Sequence, residues 1–126
     1  MNRLAFVRQY GWEAMLVGVL TLFIALKSPV LQLPFFWDEA WSYAPAVHAM
    51  YEHGPSLTPG SIPPEQYRGH PLFFYAAAAT WMSVFGDGLM SQHAFALAIA
   101  IGLLVMVFVC GGGRATGLAA VVLLIG

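Results

Sequence analysis

The run LMSQHAFALAIAIGLLVMVFVC, Leu89 to Cys110, lies within twenty-six consecutive residues, Gly88 to Gly113, that contain no Asp, Glu, Lys or Arg. A helix rises about 1.5 Å per residue, and crossing about 30 Å of hydrocarbon takes roughly 20 apolar residues. This run is long enough to cross. Lipid offers no partner to a bare backbone N–H or C=O, so the stretch is expected to be a helix.

The same pattern recurs on either side. Twelve uncharged residues follow Arg114, and eighteen, Gly69 to Gly86, separate Arg68 from Asp87. Thirteen more, Ala14 to Leu26, separate Glu13 from Lys27, after which the chain is uncharged to Trp37. Read together, these gaps predict an all-α, polytopic transmembrane protein. Its spans cover about residues 11–31, 70–85 and 89–110, and a fourth starts at 115–126. Lys27 would snorkel to an interface. The second span is short, and its Tyr75 and Trp81 suit an interface or a protein contact. Twelve residues do not span. Residues 1–126 are therefore expected to be the amino-terminal part of one membrane domain; the alternative is a small protein with a re-entrant or interfacial last helix.

Composition agrees. Of 126 residues, 60% are hydrophobic and 9% charged, whereas soluble domains run about 45–50% and about 25%. So few charges cannot clothe a soluble surface, and disorder and a coiled coil are excluded with it. A net charge of −1 offers no general attraction to nucleic acid. The single cysteine, Cys110, excludes an internal disulfide and any multi-cysteine metal site.

Arg3 and Arg8 precede the first apolar run, as in a signal peptide, but Lys27-Ser28-Pro29-Val30 is a poor cleavage site and apolar residues continue to Trp37. An uncleaved anchor in the plasma or inner membrane is expected, with a cytoplasmic amino terminus. Residues 32–69 then lie outside the cytoplasm, and the turn Gly86-Asp87-Gly88 lies inside. This topology leaves Lys27, Arg68 and Arg114 outside, against the usual charge bias.

Four of the six acids fall in the 32–69 loop: Asp38, Glu39, Glu52 and Glu65. Its first half reads as a juxtamembrane amphipathic helix, with Asp38 able to cap it. Ala40, Tyr43, Ala44, Val47, Met50 and Tyr51 form one face; Asp38, Ser42, Ala49, Glu52 and His53 form the other. Pro45 predicts a kink or two short helices, and Gly54-Pro55 an end. From Gly54 to Pro71 there are five prolines and three glycines, so that half reads as a loop. Adjacent antiparallel spans would bring Asp38 and Glu39 beside Arg68 and His70. Arg matches phosphate oxygens with two parallel donors, and a carboxylate can take a proton from a hydroxyl. Such a pairing suits a phosphorylated lipid.

The stretches Trp37-Asp38-Glu39-Ala40-Trp41-Ser42-Tyr43-Ala44, Gly69-His70-Pro71-Leu72-Phe73-Phe74-Tyr75 and Val84-Phe85-Gly86 resemble the start of integral-membrane glycosyltransferases of the GT-C superfold. The resemblance is to the protein O-mannosyltransferases and the aminoarabinose transferases that modify lipid A. It implies transfer of a sugar from a polyprenyl-phosphate donor to an extracytoplasmic lipid, glycan or protein acceptor. It also implies catalytic roles for Asp38 and Glu39, and lipid-phosphate contacts by Arg68 and His70. Only Pro71 stands where many members have two prolines, and His93 stands where relatives often have Arg.

Other readings carry less chemistry. The alternative reading has Asp38 and Glu39 serving only the positive end of a helix, and Arg68 as an interfacial anchor. His48 and His53 are five apart, off a shared helical face; Asp38, Glu39 and Glu52 nearby leave a divalent metal as the alternative, but nothing matches a defined ligand pattern, so no metal or other cofactor is expected. Gly111-Gly112-Gly113-Arg114 lacks the ending of a phosphate loop and reads as a turn. A non-enzymatic assembly subunit or transporter fragment is the alternative. A transporter would place polar groups at mid-membrane, where these spans have almost none.

Overall fold

A computed structural model describes residues 3–37, 39–67, 69 and 71–125, with side chains from Tyr10 onward. The described residues are mostly helical, joined by turns and loops, with no strand among them. Helix α1 is Arg3–Lys27, followed by a 3-10 stretch Ser28–Gln32; a π-helical turn Glu39–Tyr43 leads into α2, Ala44–His53. Helix α3 is Leu72–Phe85, α4 is Leu89–Cys110 and α5 is Arg114–Ile125. The chain forms two compact units, Met1–Val30 with Leu97–Gly126, and Leu31–Ala96.

In the first unit, α1 packs along α5. Leu16, Leu104, Phe108, Leu118 and Val121 are buried together. Where α4 gives way to α5 the backbones almost touch: a Cβ on Gly117 would lie 2.5 Å from the Phe108 carbonyl oxygen, a distance no side chain tolerates. The outer surface is apolar instead of charged, with Leu22 60%, Val109 73% and Leu123 82% exposed. Continuous apolar exposure of this kind belongs against lipid or a partner.

Two helical stretches, Tyr10–Gln32 and Leu89–Cys110, are long and apolar enough to cross a membrane. Only 6% of the first and 11% of the second is buried, whereas the core helix of a soluble protein is mostly buried. Three spans and the start of a fourth were expected from the charge gaps. Helix α3 has 14 residues, and 14 residues reach only about 21 Å. Helix α5, with 12 residues, is shorter still.

The topology drawn from the charges put Glu13 and Arg114 on opposite faces of the membrane. In the first unit Arg114 Nη2 donates to Glu13 Oε1 at 3.0 Å. Gap lengths set how far a helix can reach; they do not say which ends meet.

In the second unit, α2 packs across α3. Ala46, Val47 and Met50 of α2, Ile62 of the loop, and Tyr75, Ala78, Ala79 and Met82 of α3 form the core. Burying each larger side chain contributes about 1.5–3 kcal/mol. The small alanines of α3 let the two helices approach. Tyr75 is fully buried and Trp81 donates its indole N–H to the Ser91 carbonyl at 2.9 Å, so both make protein contacts. Helix α3 ends at Gly86, whose φ of 90° suits glycine and whose N–H returns to the Met82 carbonyl at 2.8 Å.

Helix α2 differs in phase from the expected amphipathic pattern. Ala49, assigned to the polar face, is buried, and Ala40, assigned to the apolar face, is exposed. The π-helical turn before Ala44 takes more residues per turn than an α-helix, which rotates everything before it relative to α2. Pro45 sits in the first turn of α2, where its missing N–H costs nothing.

Candidate functional site

The second unit holds a cleft of about 430 Å³. Phe35, Tyr43, Phe74 and Phe95 wall it, Val47 and Ala78 lie at its base, and Glu39, Gln92 and His93 are its polar members. Tyr43 meets Phe74 edge-on at 5.4 Å between ring centroids, and Phe74 meets Phe95 at 5.9 Å. Aromatic rings stacked this way hold a fixed apolar surface with two rotatable bonds each.

Glu39 is positioned by its own turn. Its N–H donates to the Phe36 carbonyl at 3.0 Å, and the Phe36 N–H donates back to Glu39 Oε2 at 3.3 Å. This reciprocal pair closes a turn between Phe36 and Glu39, the first residue of the π-helical stretch, and the carboxylate takes up a backbone N–H just ahead of it. The helix-stabilising role considered for Glu39 is therefore present in its geometry. The turn is entered through Trp37, whose φ of 39° lies in the left-handed region. A bulky residue held there stores about 1–3 kcal/mol, and such outliers gather at functional sites.

The same Oε2 lies 3.6 Å from His93 Nε2. That is ion-pair distance, longer than a hydrogen bond. The His93 side chain is 14% exposed and that of Glu39 49%, so the pair contributes about 1 kcal/mol or less to stability. His93 Nδ1 faces the Leu31 carbonyl oxygen at 3.1 Å. A carbonyl only accepts, so Nδ1 carries a proton and donates. Nε2 then presents either a lone pair or a second proton to the carboxylate, and only the second is attractive. Phe35 meets the imidazole edge-on at 5.3 Å and fixes its plane. The result is a carboxylate and an imidazole facing each other at one end of an aromatic cleft.

Of the four residues singled out from the sequence, Glu39 stands in this cleft. Asp38, Arg68 and His70 lie outside the described residues. Pro71, which follows His70 in the motif, lines the same cleft as Glu39, so the two ends of the 32–69 loop share one cavity. His48 rests against Tyr51, and His53 Nδ1 donates to the Ala49 carbonyl at 2.7 Å. Among the described residues no group of three metal-ligating side chains forms.

The cleft residue the motif reading left at the margin is His93. A signal for it exists: apart from the terminal Cys110, it is the one titratable side chain in Leu89–Cys110. An ionisable residue at the start of a spanning helix is by default a functional candidate. No family model, curated protein or solved structure matches this chain.

Proposed function

We propose that the chain carries the acidic part of the active site of a membrane glycosyltransferase of the GT-C type, acting on a polyprenyl-phosphate sugar outside the cytoplasm. The observation that supports this reading is the cleft itself. Glu39, from the Asp-Glu pair, and Pro71, from the His-Pro-Leu motif, lie thirty-two residues apart in sequence and line one aromatic-walled cavity with His93. Aromatic faces suit the apolar face of a sugar or the first isoprene units, and the polar end suits its hydroxyls.

In this reading an acceptor oxygen attacks the anomeric carbon while the bond from that carbon to the lipid phosphate breaks, inverting the centre. Asp38 takes the acceptor's proton. Glu39, held by Phe36 and His93, orients the acceptor or the neighbouring carboxylate. The leaving phosphate gains a negative charge, which Arg68 and His70 offset. No step requires a metal.

The test is transfer of labelled sugar from a polyprenyl-phosphate donor by the full-length protein in membranes. Asp38→Asn and Glu39→Gln are expected to lower turnover about 10²–10³-fold with insertion and yield unchanged. Turnover near normal in both variants rejects the catalytic assignment and returns the chain to the non-enzymatic membrane proteins.

A further inference from the structure

We infer that the chain crosses the membrane with α1 and α4 only, and that everything between them, α3 included, stays on one face. This rests on the crossing of α1 and α4 and not on sugar transfer. Three observations carry it.

The first is the Glu13–Arg114 pair at 3.0 Å. Glu13 precedes the apolar run of α1, and Arg114 follows the apolar run of α4. If both helices cross, ends that touch are on the same face, so α1 and α4 run in opposite directions. The carboxyl end of α1 and the amino end of α4 then share the other face. The second observation is independent and belongs to the other unit. Leu31, just beyond α1, accepts a hydrogen bond from His93 in the second turn of α4, at 3.1 Å. Both connections match an antiparallel pair, and neither matches an odd number of crossings between residues 31 and 89.

The third is what α3 carries with it. Its buried side packs on α2, and α2 displays Glu52 and His53 to the outside. Were α3 to cross, α2 would enter hydrocarbon with an exposed carboxylate, which lipid strongly disfavours. Helix α3 instead lies at the lipid surface, three residues from the start of α4. Its exposed Phe73 and Val84 are one face of the helix, seven and four residues apart through Thr80, and they rest on the lipid. The charge bias also improves: Arg114 joins Arg3 and Arg8 on the cytoplasmic face.

The experiment uses single cysteines in a Cys110→Ser background of the full chain, in sealed vesicles of known orientation, with a membrane-impermeant maleimide. Thr58→Cys, Asp87→Cys and Ala115→Cys are all at exposed positions, and the Asp87 side chain can be replaced because Gln92 bonds its backbone carbonyl. The expected result is labelling of Thr58→Cys and Asp87→Cys from one side and of Ala115→Cys from the other. Asp87→Cys labelling from the side opposite Thr58→Cys overturns the proposal and restores α3 as a span. Labelling of all three regardless of side, with release by alkaline carbonate, overturns the membrane crossing itself. Each result leaves the transferase assay free to succeed or fail separately.

Discussion

The two units bury their side chains in different ways. The Leu31–Ala96 unit has a core of its own: Tyr75 and Met50 are fully buried, Ile62 closes the core from the loop, and a cleft opens beside it. The other unit buries five residues along one seam and exposes long apolar side chains around the rest of α1, α4 and α5. The first resembles a small water-soluble domain in how it is held, by apolar surface withdrawn from water. The second lacks that force where its surroundings are lipid, and depends on close packing, as at Gly117, with one ion pair. The candidate cleft lies in the unit that has a core, where walls fix a side chain such as His93. The other unit holds most of the two helical stretches that are long and apolar enough to cross a membrane.

The contrast can be broken at its strongest point by Tyr75→Ala. Removing a fully buried aromatic ring from a packed core costs about 3–5 kcal/mol. Thermal unfolding of the detergent-solubilised protein is expected to show that loss; an unchanged midpoint would mean that the second unit has no independent core. Next comes Leu103→Asp, in the first unit, 53% exposed near the middle of α4. On a water-facing surface this change is nearly neutral. On a lipid-facing one it opposes insertion by about 2.5–3.5 kcal/mol, and the inserted fraction, measured by carbonate resistance, is expected to fall several-fold or more. Retention of full insertion would move that surface out of lipid. The smallest effect belongs to Glu13→Gln. Both partners of the Arg114 pair are partly exposed, at 39% and 54%, so stability is expected to change by about 1 kcal/mol or less, with labelling sidedness preserved. A sidedness change in that variant would make the pair the determinant of topology instead of its reporter.

Much of the helix map was legible in the chain. The charge gaps placed α4 at 89–110 and α3 and α5 within a few residues of their ends, because lipid and the helical rise leave little freedom in length. Pro45 and Gly54-Pro55 marked the ends of α2 for local steric reasons. What local pattern could not supply was pairing. Glu13 and Arg114 are far apart in sequence, and nothing near either announces the other. The phase error at Ala40 has a similar origin: a π-helical turn leaves no trace in apolar spacing. For the site, Glu39 was legible through its neighbour Asp38 and the acid-rich loop, while its facing partner was sought at Arg68. The structure faces Glu39 with His93, a residue whose significance depends on where α4 begins relative to the loop.

The hydrogen bond from His93 to Leu31 ties together residues sixty-two apart. Bringing the ends of a flexible segment that long together costs about (3/2)RT ln n, or roughly 3.7 kcal/mol before any constant. A single hydrogen bond returns about 1 kcal/mol. The histidine therefore cannot be the knot that ties the segment shut; α2 packed on α3 must shorten the effective chain first, and the imidazole then finds a carbonyl already within reach. An arrangement of that kind forms late in folding and opens early on heating, so the His93–Leu31 contact is expected to loosen well before the helices beneath it melt.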